Sequence, residues 1–114
     1  MLKLVEDCMA VIYALLRHKN VKTEYHCPKY LMVTSDYQRL KRVFLNLLTN
    51  SCKFTNEGKI CVYIDENSYD DTILIQISDT GTGISENKQK NLFKAFNSYR
   101  DDTGTMNKNG LGLG

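Results

Sequence analysis

The amino-acid sequence predicts an α+β fold, a two-layer α/β sandwich with helices packed on one face of a mixed β-sheet. Two segments, residues 2–18 and 36–54, have apolar residues at helical spacing. Other segments have apolar residues at every second position, which is typical of strands. The resulting order is helix, short strands, helix, strand, strand, helix. A length of 114 residues fits a single domain, residues 1–114.

The composition excludes several classes of function. Hydrophobic residues make up 42% and charged residues 25% of the chain, as in an ordinary globular protein. A net charge of +2 from 15 basic and 13 acidic residues is too balanced to indicate nucleic-acid binding. No run of about 18 apolar residues exists, so we expect a cytoplasmic segment without direct membrane contact, although the full-length protein can be membrane-anchored. The cysteines lack zinc-ligand spacing, which favours free thiols in a reducing compartment.

The first half of the chain predicts two helices around a short extended region. The stripe that predicts the first helix comprises Leu4, Cys8, Val11, Ile12, Leu15 and Leu16. Residues 21–25 alternate and residues 30–33 are β-prone, so two extended pieces are expected on either side of Pro28. Ser35 or Asp36 is expected to cap the second helix, which ends near Phe54. Its predicted buried face comprises Leu40, Val43, Phe44, Leu47, Leu48 and Ser51.

The second half predicts a hairpin and a short helix. Residues 59–65 place Ile60, Val62 and Ile64 on one face, and residues 72–79 place Ile73, Ile75 and Ile77 on one face. The polar stretch 66–71 is the expected hairpin loop, residues 86–93 a short helix, and residues 97–109 a mobile loop.

Three polar residues lie beside the buried stripe of the second helix. Asn46, Asn50 and Lys53 follow i, i+4, i+7 spacing, which places them together on its rim. An Asn carbonyl oxygen is a suitable neutral ligand for Mg²⁺, and a Lys ammonium can contact phosphate oxygens. Considered alone, these residues also fit the ordinary polar edge of an amphipathic helix.

Two glycine-rich segments follow. Asp79 has the same strand parity as Ile77, so its carboxylate is expected on the core-facing side, where it needs a hydrogen-bond donor such as a ligand amine. Gly81 and Gly83 allow a tight turn and the close approach of a flat ligand, although a simple strand-ending turn is the alternative. The glycines of residues 110–114 can direct backbone N–H groups at phosphate, and a flexible tail is the alternative there.

In this order the motifs resemble those of sensor histidine kinase catalytic domains, in the GHKL superfamily of ATPases and kinases. The matching segments are Arg39–Thr55 with Gly58-Lys59-Ile60 (asparagine box), Asp79–Ile84 (first glycine box), Leu92–Phe96 (phenylalanine box) and Gly110–Gly114 (second glycine box). The resemblance covers the chain from Asp36 onward, and the ATP-binding fold of the superfamily is an α/β sandwich.

The resemblance implies ATP and Mg²⁺ as ligands. Asn50 would coordinate Mg²⁺, and Asn46 would support the metal or a phosphate. Lys53 would contact phosphate, Phe54 would lie against adenine, and Asp79 would accept from its amino group. The other implied nucleotide-binding residues are Gly81, Gly83, Ile84, Phe93, Gly110, Leu111, Gly112 and Gly114, with Phe93 and Phe96 anchoring a lid over residues 97–109.

The resemblance also implies the type of reaction. Hydrolases of the superfamily carry a Glu where Asn46 stands, and that Glu acts as a general base. Because an Asn cannot take a proton, the chain resembles a protein-histidine kinase that transfers the γ-phosphoryl group of ATP to a His. A non-catalytic nucleotide-binding or partner-binding regulatory module is the alternative function.

The phosphoacceptor is expected outside this chain, and no catalytic residue is identified within it. His18 and His26 lack the neighbours of the family's acceptor motif. The implied partners are a His-containing dimerisation segment and a downstream response-regulator receiver domain. Since the family continues past the second glycine box, we interpret the chain as C-terminally truncated. Such a fragment would be inactive in isolation, would bind phosphate weakly and could form a homodimer.

Overall fold

A computed structural model of the chain describes residues 1–92, of which residues 1–82 form one compact unit, and a second unit begins at Gly83. The elements are helix α1 (Leu2–Leu15), strand β1 (Asn20–His26), helix α2 (Tyr37–Phe54), strands β2 (Glu57–Asn67) and β3 (Thr72–Asp79), and helix α3 (Glu86–Gln89). The predicted α+β class with a mixed sheet is confirmed. Phe93, Phe96, the proposed lid and residues 110–114 lie outside the described residues.

The sheet has the order β1-β2-β3, with β1 parallel and β3 antiparallel to β2. A parallel pair requires a crossover connection, and α2 is contained in the one between β1 and β2. The β2–β3 hairpin turns at residues 68–71, where Asp70 Oδ1 accepts from the backbone N–H of Thr72 at 3.2 Å and from its hydroxyl at 2.6 Å. The hairpin therefore presents the end of β3 beside the start of β2.

The core of the first unit lies between one face of the sheet and the helices α1 and α2. Ile60, Val62 and Ile64 are at most 1% exposed, as their alternation predicted. The other face of β2 is turned away from this core. There Cys61 is half-buried and its thiol contacts Glu24 Oε2 at 3.6 Å, so Cys61 is not part of the core.

Helix α1 packs on the core with a stripe that differs from the predicted one. Leu4, Cys8, Ile12 and Leu16 are buried as predicted, whereas Val11 is 41% and Leu15 is 54% exposed. Val5 and Met9 are buried in their place. The buried arc is rotated toward Val5 and Met9, which leaves Val11 and Leu15 at its solvent edge. The helix also ends at Leu15 and not near residue 18.

The predicted second extended piece, residues 30–33, is not a strand. The backbone N–H of Leu31 bonds to Pro28 O at 3.2 Å in a turn, and only Leu31 of these four residues is buried. Tyr30 is 93% exposed. High β propensity is insufficient here because no strand within residues 1–92 pairs with this segment.

The sequence predicted free thiols and no membrane-spanning segment. All four cysteines carry free thiols, and burial raises the pKa values of Cys8, Cys27 and Cys52 above the ordinary thiol value. Within residues 1–92, no helix combines the length and apolar character needed to cross a bilayer.

Candidate nucleotide-binding site

Helix α2 positions most of the candidate residues, and its start is fixed by Asp36. The Oδ1 atom of Asp36 accepts from the backbone N–H of Arg39 at 3.0 Å, which satisfies one of the free N–H groups of the first turn. Of the two predicted caps, Ser35 and Asp36, the structure therefore selects Asp36. The helix then continues to Phe54 as predicted.

The buried face of α2 is narrower than predicted. Phe44, Leu48 and Ser51 are buried, while Val43 is 53% and Leu47 is 49% exposed. These two residues lie on the side of the helix that carries the polar rim, away from the core. Their burial was predicted wrongly because helical periodicity does not distinguish an apolar residue that faces the core from one at the solvent-exposed edge of the same stripe.

The polar rim of α2 is available to a ligand. Asn46 is exposed and Asn50 is half-buried, and neither carboxamide forms a hydrogen bond with the described residues. Thr49, between them, turns its hydroxyl back to the helix and donates to Leu45 O at 2.7 Å. The two amides are therefore free to bind another group.

The last turn of α2 carries a cation beside an aromatic ring. The Nζ atom of Lys53 lies 5.6 Å from the ring centroid of Phe54, and Phe54 is 45% exposed. A lysine in this position also interacts favourably with the negative end of the helix dipole. The end of α2 thus combines a positive charge with an open, flat apolar surface.

The turn after β3 is organised by Asp79. Its Oδ1 atom accepts from the backbone N–H of Gly81 at 3.0 Å, as an Asp side chain does in an Asx-turn. Among the described residues, Oδ2 has no hydrogen-bond donor. Asp79 pairs with Ile60, which confirms its predicted face, but it is exposed because the strand ends there. One carboxylate oxygen holds the turn and the other is free for a ligand.

The same turn is bonded to the end of α2. The backbone N–H of Thr82 donates to Phe54 O at 3.1 Å. A Cβ on Gly81 would lie 2.4 Å from Phe54 O and 2.8 Å from Thr55 Oγ1, which is closer than real Cβ contacts. Glycine at position 81 is therefore required by the close approach of the two segments, in addition to any role in ligand binding.

On its other side the turn is bonded to the start of β2. The backbone N–H of Thr80 donates to Lys59 O at 3.1 Å, and its hydroxyl oxygen accepts from the Lys59 N–H at 3.0 Å. Gly58 adopts φ 120°, and a Cβ there would lie 2.0 Å from Thr80 Oγ1. The Asp79 turn is thus held between α2 and β2.

Thr55 is a further candidate site residue that the sequence analysis did not single out. Its side chain is 0% exposed, and its hydroxyl has no hydrogen-bond partner among the described residues. Leaving such a group unpaired costs about 1–3 kcal/mol. Because it lies directly under Gly81, a polar ligand or a bound water at this turn would supply the partner. Its position directly after the asparagine-rich helix was the signal that could have drawn attention to it.

Gly83 and Ile84 belong to the second compact unit. Gly83 adopts φ 74°, which favours glycine, and Ile84 is 49% exposed. The helix α3 that follows is shorter than predicted, because the N–H groups of Asn91 and Leu92 bond to carbonyls three residues earlier. Gly110, Leu111, Gly112 and Gly114, with Phe93, were also predicted to bind nucleotide and lie outside the described residues.

Comparison with known proteins identifies the class. The family of histidine kinase-, DNA gyrase B- and HSP90-like ATPases matches residues 35–114. The chain belongs to this family, and the resemblance found in its motifs is confirmed. Membership of an ATPase family implies ATP binding, while the roles of individual residues remain predictions.

The relatives define the branch as that of the histidine kinases. Hybrid signal transduction histidine kinase C of Dictyostelium discoideum is 30% identical over 96% of this chain. Peroxide stress-activated histidine kinase mak2 of Schizosaccharomyces pombe is 35% identical over 96% of it. The chain spans only 9% and 5% of these two proteins.

A solved structure confirms the fold. The Acinetobacter baumannii histidine kinase AdeS superimposes with a TM-score of 0.67 over 97% of this chain and 48% of that chain, at 23% identity.

Proposed function

We propose that this chain is the ATP- and Mg²⁺-binding catalytic domain of a protein-histidine kinase, which presents the γ-phosphoryl group of ATP to a His on another segment or protein. The observation that supports this most is the junction between α2 and the Asp79 turn. The rim of α2 carries two carboxamides without hydrogen bonds to the described residues, those of Asn46 and Asn50, and ends at Phe54, whose carbonyl oxygen is bonded to Thr82.

The Asp79 turn fits the adenine end of a nucleotide. The free Oδ2 of Asp79 would accept a hydrogen bond from the adenine amino group, because an ionised carboxylate only accepts. The exposed Phe54 ring offers a flat apolar surface against which the base would pack. Gly81 adds no side chain to the space beside this surface. The buried Thr55 hydroxyl would gain its missing partner through a bound water or the base.

The rim of α2 fits the phosphate end. The amide oxygens of Asn46 and Asn50 are hard, neutral donors that would hold Mg²⁺ together with phosphate oxygens and water. Bound Mg²⁺ would neutralise charge on the phosphates. The Lys53 ammonium would contact a phosphate as a point charge. Neutral amides suit a cation that binds together with anionic phosphates.

The rim contains no carboxylate, which favours transfer over hydrolysis. Asn46 cannot accept a proton from water, so it cannot act as a general base. We therefore propose that the phosphoryl group passes to a His of a dimerisation segment and then to a receiver domain, in a cytoplasmic two-component system. Steady phosphate release from ATP by the purified chain without an acceptor would contradict this proposal.

Nucleotide binding is tested by titrating the chain with ADP, with Mg²⁺ or with a chelator, by isothermal calorimetry. Asn50→Ala should remove most of the Mg²⁺ dependence of the affinity. Asp79→Asn should weaken ADP binding about tenfold or more and narrow the preference for ADP over GDP, because guanine carries a carbonyl group where adenine carries its amino group. Ser78→Ala, a change at the neighbouring exposed residue, is the matched control. Equal affinities for the wild type and both site variants would overturn the proposal.

A further inference from the structure

Lys19 lies in the turn between α1 and β1, outside the segment that matches the ATPase family, and it reaches the C-terminal end of α2. Its Nζ atom donates to Cys52 O at 2.6 Å and to Thr55 O at 3.2 Å. Its own backbone N–H bonds to Leu16 O at 2.9 Å, and Leu16 is buried. The backbone of Lys19 is therefore anchored to the buried end of α1.

The two acceptors of Lys19 are carbonyl groups that the helix leaves without intrahelical donors. An ammonium group there also offsets the negative end of the helix dipole. The thiol of Cys52 reports the nearby charge, because burial raises its pKa while Lys19 opposes that rise. Lys19 thus provides a charged C-terminal cap for α2 from a distant part of the chain.

The segment capped by Lys19 is the one that holds the nucleotide-binding groups. Lys53 and Phe54 lie between its two acceptors, Cys52 and Thr55, and Phe54 O in turn accepts from Thr82. The last turn of α2 is therefore held from both sides, by the Lys19 ammonium and by the Asp79 turn.

We propose that Lys19 is a positioning residue of the nucleotide site, which holds Lys53, Phe54 and the Asp79 turn in the geometry that binds the base and phosphates. This inference rests on the proposed function. Lys19 itself lies outside the set of residues that would touch the nucleotide.

The test uses the complete chain with Lys19→Met, Lys19→Arg and the control Asp36→Ala. Asp36→Ala removes the cap at the opposite end of the same helix, so it destabilises α2 without changing its last turn. Melting temperatures are measured first, and ADP dissociation constants are then compared with Mg²⁺ at a temperature where every variant is folded. In parallel, hydrogen exchange of the Thr82 amide is followed by NMR in the nucleotide-free protein. If Lys19→Met does not fold, Lys19→Ala, which also removes both the donor and the charge, replaces it in each comparison.

Lys19→Met should weaken ADP binding and accelerate Thr82 exchange about tenfold, which corresponds to about 1.4 kcal/mol. Lys19→Arg should keep the ADP dissociation constant and the Thr82 exchange rate at their wild-type values. Asp36→Ala should change neither quantity. The inference is overturned if Lys19→Met leaves both values unchanged, or if Asp36→Ala lowers the affinity equally. A wild type that binds no ADP would overturn the proposed function, whereas accelerated Thr82 exchange would still assign Lys19 to the turn.

Discussion

The backbone N–H of Thr82 donates to the carbonyl oxygen of Phe54 across 3.1 Å, and this bond joins the turn after β3 to the last turn of α2. The two segments that resembled separate nucleotide-binding motifs in the sequence are therefore parts of one bonded structure. A perturbation at this junction should affect the adenine end and the phosphate end of the site together.

Gly81→Ala should disrupt this junction. Its Cβ would lie 2.4 Å from Phe54 O, and a backbone atom can move away only if the turn shifts. Overpacking of this kind costs about 1–3 kcal/mol of unfolding free energy, measured by urea denaturation. The affinity for ADP should fall as well. Ser78→Ala, on the exposed end of the same strand, should leave both quantities unchanged, and a Gly81→Ala protein with wild-type affinity would show that the close approach is unimportant for binding.

Thr55→Val should separate ligand binding from stability. Valine has nearly the shape of threonine, so removal of an unpaired buried hydroxyl should leave the unfolding free energy of the nucleotide-free protein within about 1 kcal/mol of the wild type, or increase it. The affinity for ADP should nevertheless decrease, because the partner of a ligand or bridging water is lost.

Thr55→Ser gives the opposite pattern. It keeps the hydroxyl and removes a buried methyl group, which should lower the unfolding free energy by about 1 kcal/mol with little change in affinity. If Thr55→Val were strongly destabilised in the absence of nucleotide, the hydroxyl would have a partner within the protein, contrary to the observed geometry.

Asp36→Ala should destabilise the protein by about 1 kcal/mol through loss of the N-cap of α2. Asp36→Ser, which retains a capping oxygen, should recover most of this loss. Ser35→Ala should have no measurable effect, because Asp36 and not Ser35 accepts from the Arg39 N–H. Chemical denaturation of the three variants distinguishes the two caps that the sequence left open.

Tyr37 should make stability depend on alkaline pH. Its hydroxyl donates to Asp7 Oδ2, and this hydrogen bond raises the pKa of the Tyr37 phenol above its ordinary value of 10.0. Because the pKa of Tyr37 is raised in the folded state, the hydrogen bond adds to the free energy of unfolding at pH values below the unfolded-state pKa. This addition is lost as the pH rises through the folded-state pKa.

The difference in urea midpoint between the wild type and Tyr37→Phe should therefore shrink as pH increases above about 10. Comparison of the two proteins at each pH cancels the titration of the other tyrosines and of the lysines. If the difference in urea midpoint between the two proteins is the same below and above this pH, the Tyr37–Asp7 bond does not make stability depend on pH.

Local pattern was sufficient to predict the elements that pack on the core. The alternation of Ile60, Val62 and Ile64 predicted both the strand β2 and its buried face, because a period of two leaves one choice of inward face. The spacing of Asn46, Asn50 and Lys53 likewise predicted that these residues share one rim of α2, while their role in binding stays a prediction. These predictions depended on residues that are close in sequence.

The features that the sequence alone did not predict depend on contacts between residues that are far apart in the chain. The Thr55 hydroxyl is covered by Gly81, which follows it by many residues in the chain, and the cap at the end of α2 is formed by Lys19, 33 residues before Cys52. Residues 30–33 have strand-like composition but no strand partner in the described part of the chain. Val43 and Leu47 have core-like spacing but face away from the core. In each case tertiary context overrides a local preference.

The parallel pairing of β1 with β2 has a consequence for the order in which the protein assembles. Asn20 pairs with Glu57 and His26 with Tyr63, so each ladder contact closes a loop that contains the whole of α2. Closing such a loop costs entropy before the contact is gained, which slows folding. During synthesis, the first strand therefore stays unpaired until residues 57–63 have left the ribosome. The bond from Thr82 to Phe54 at the end of α2 can form only after Thr82 has followed.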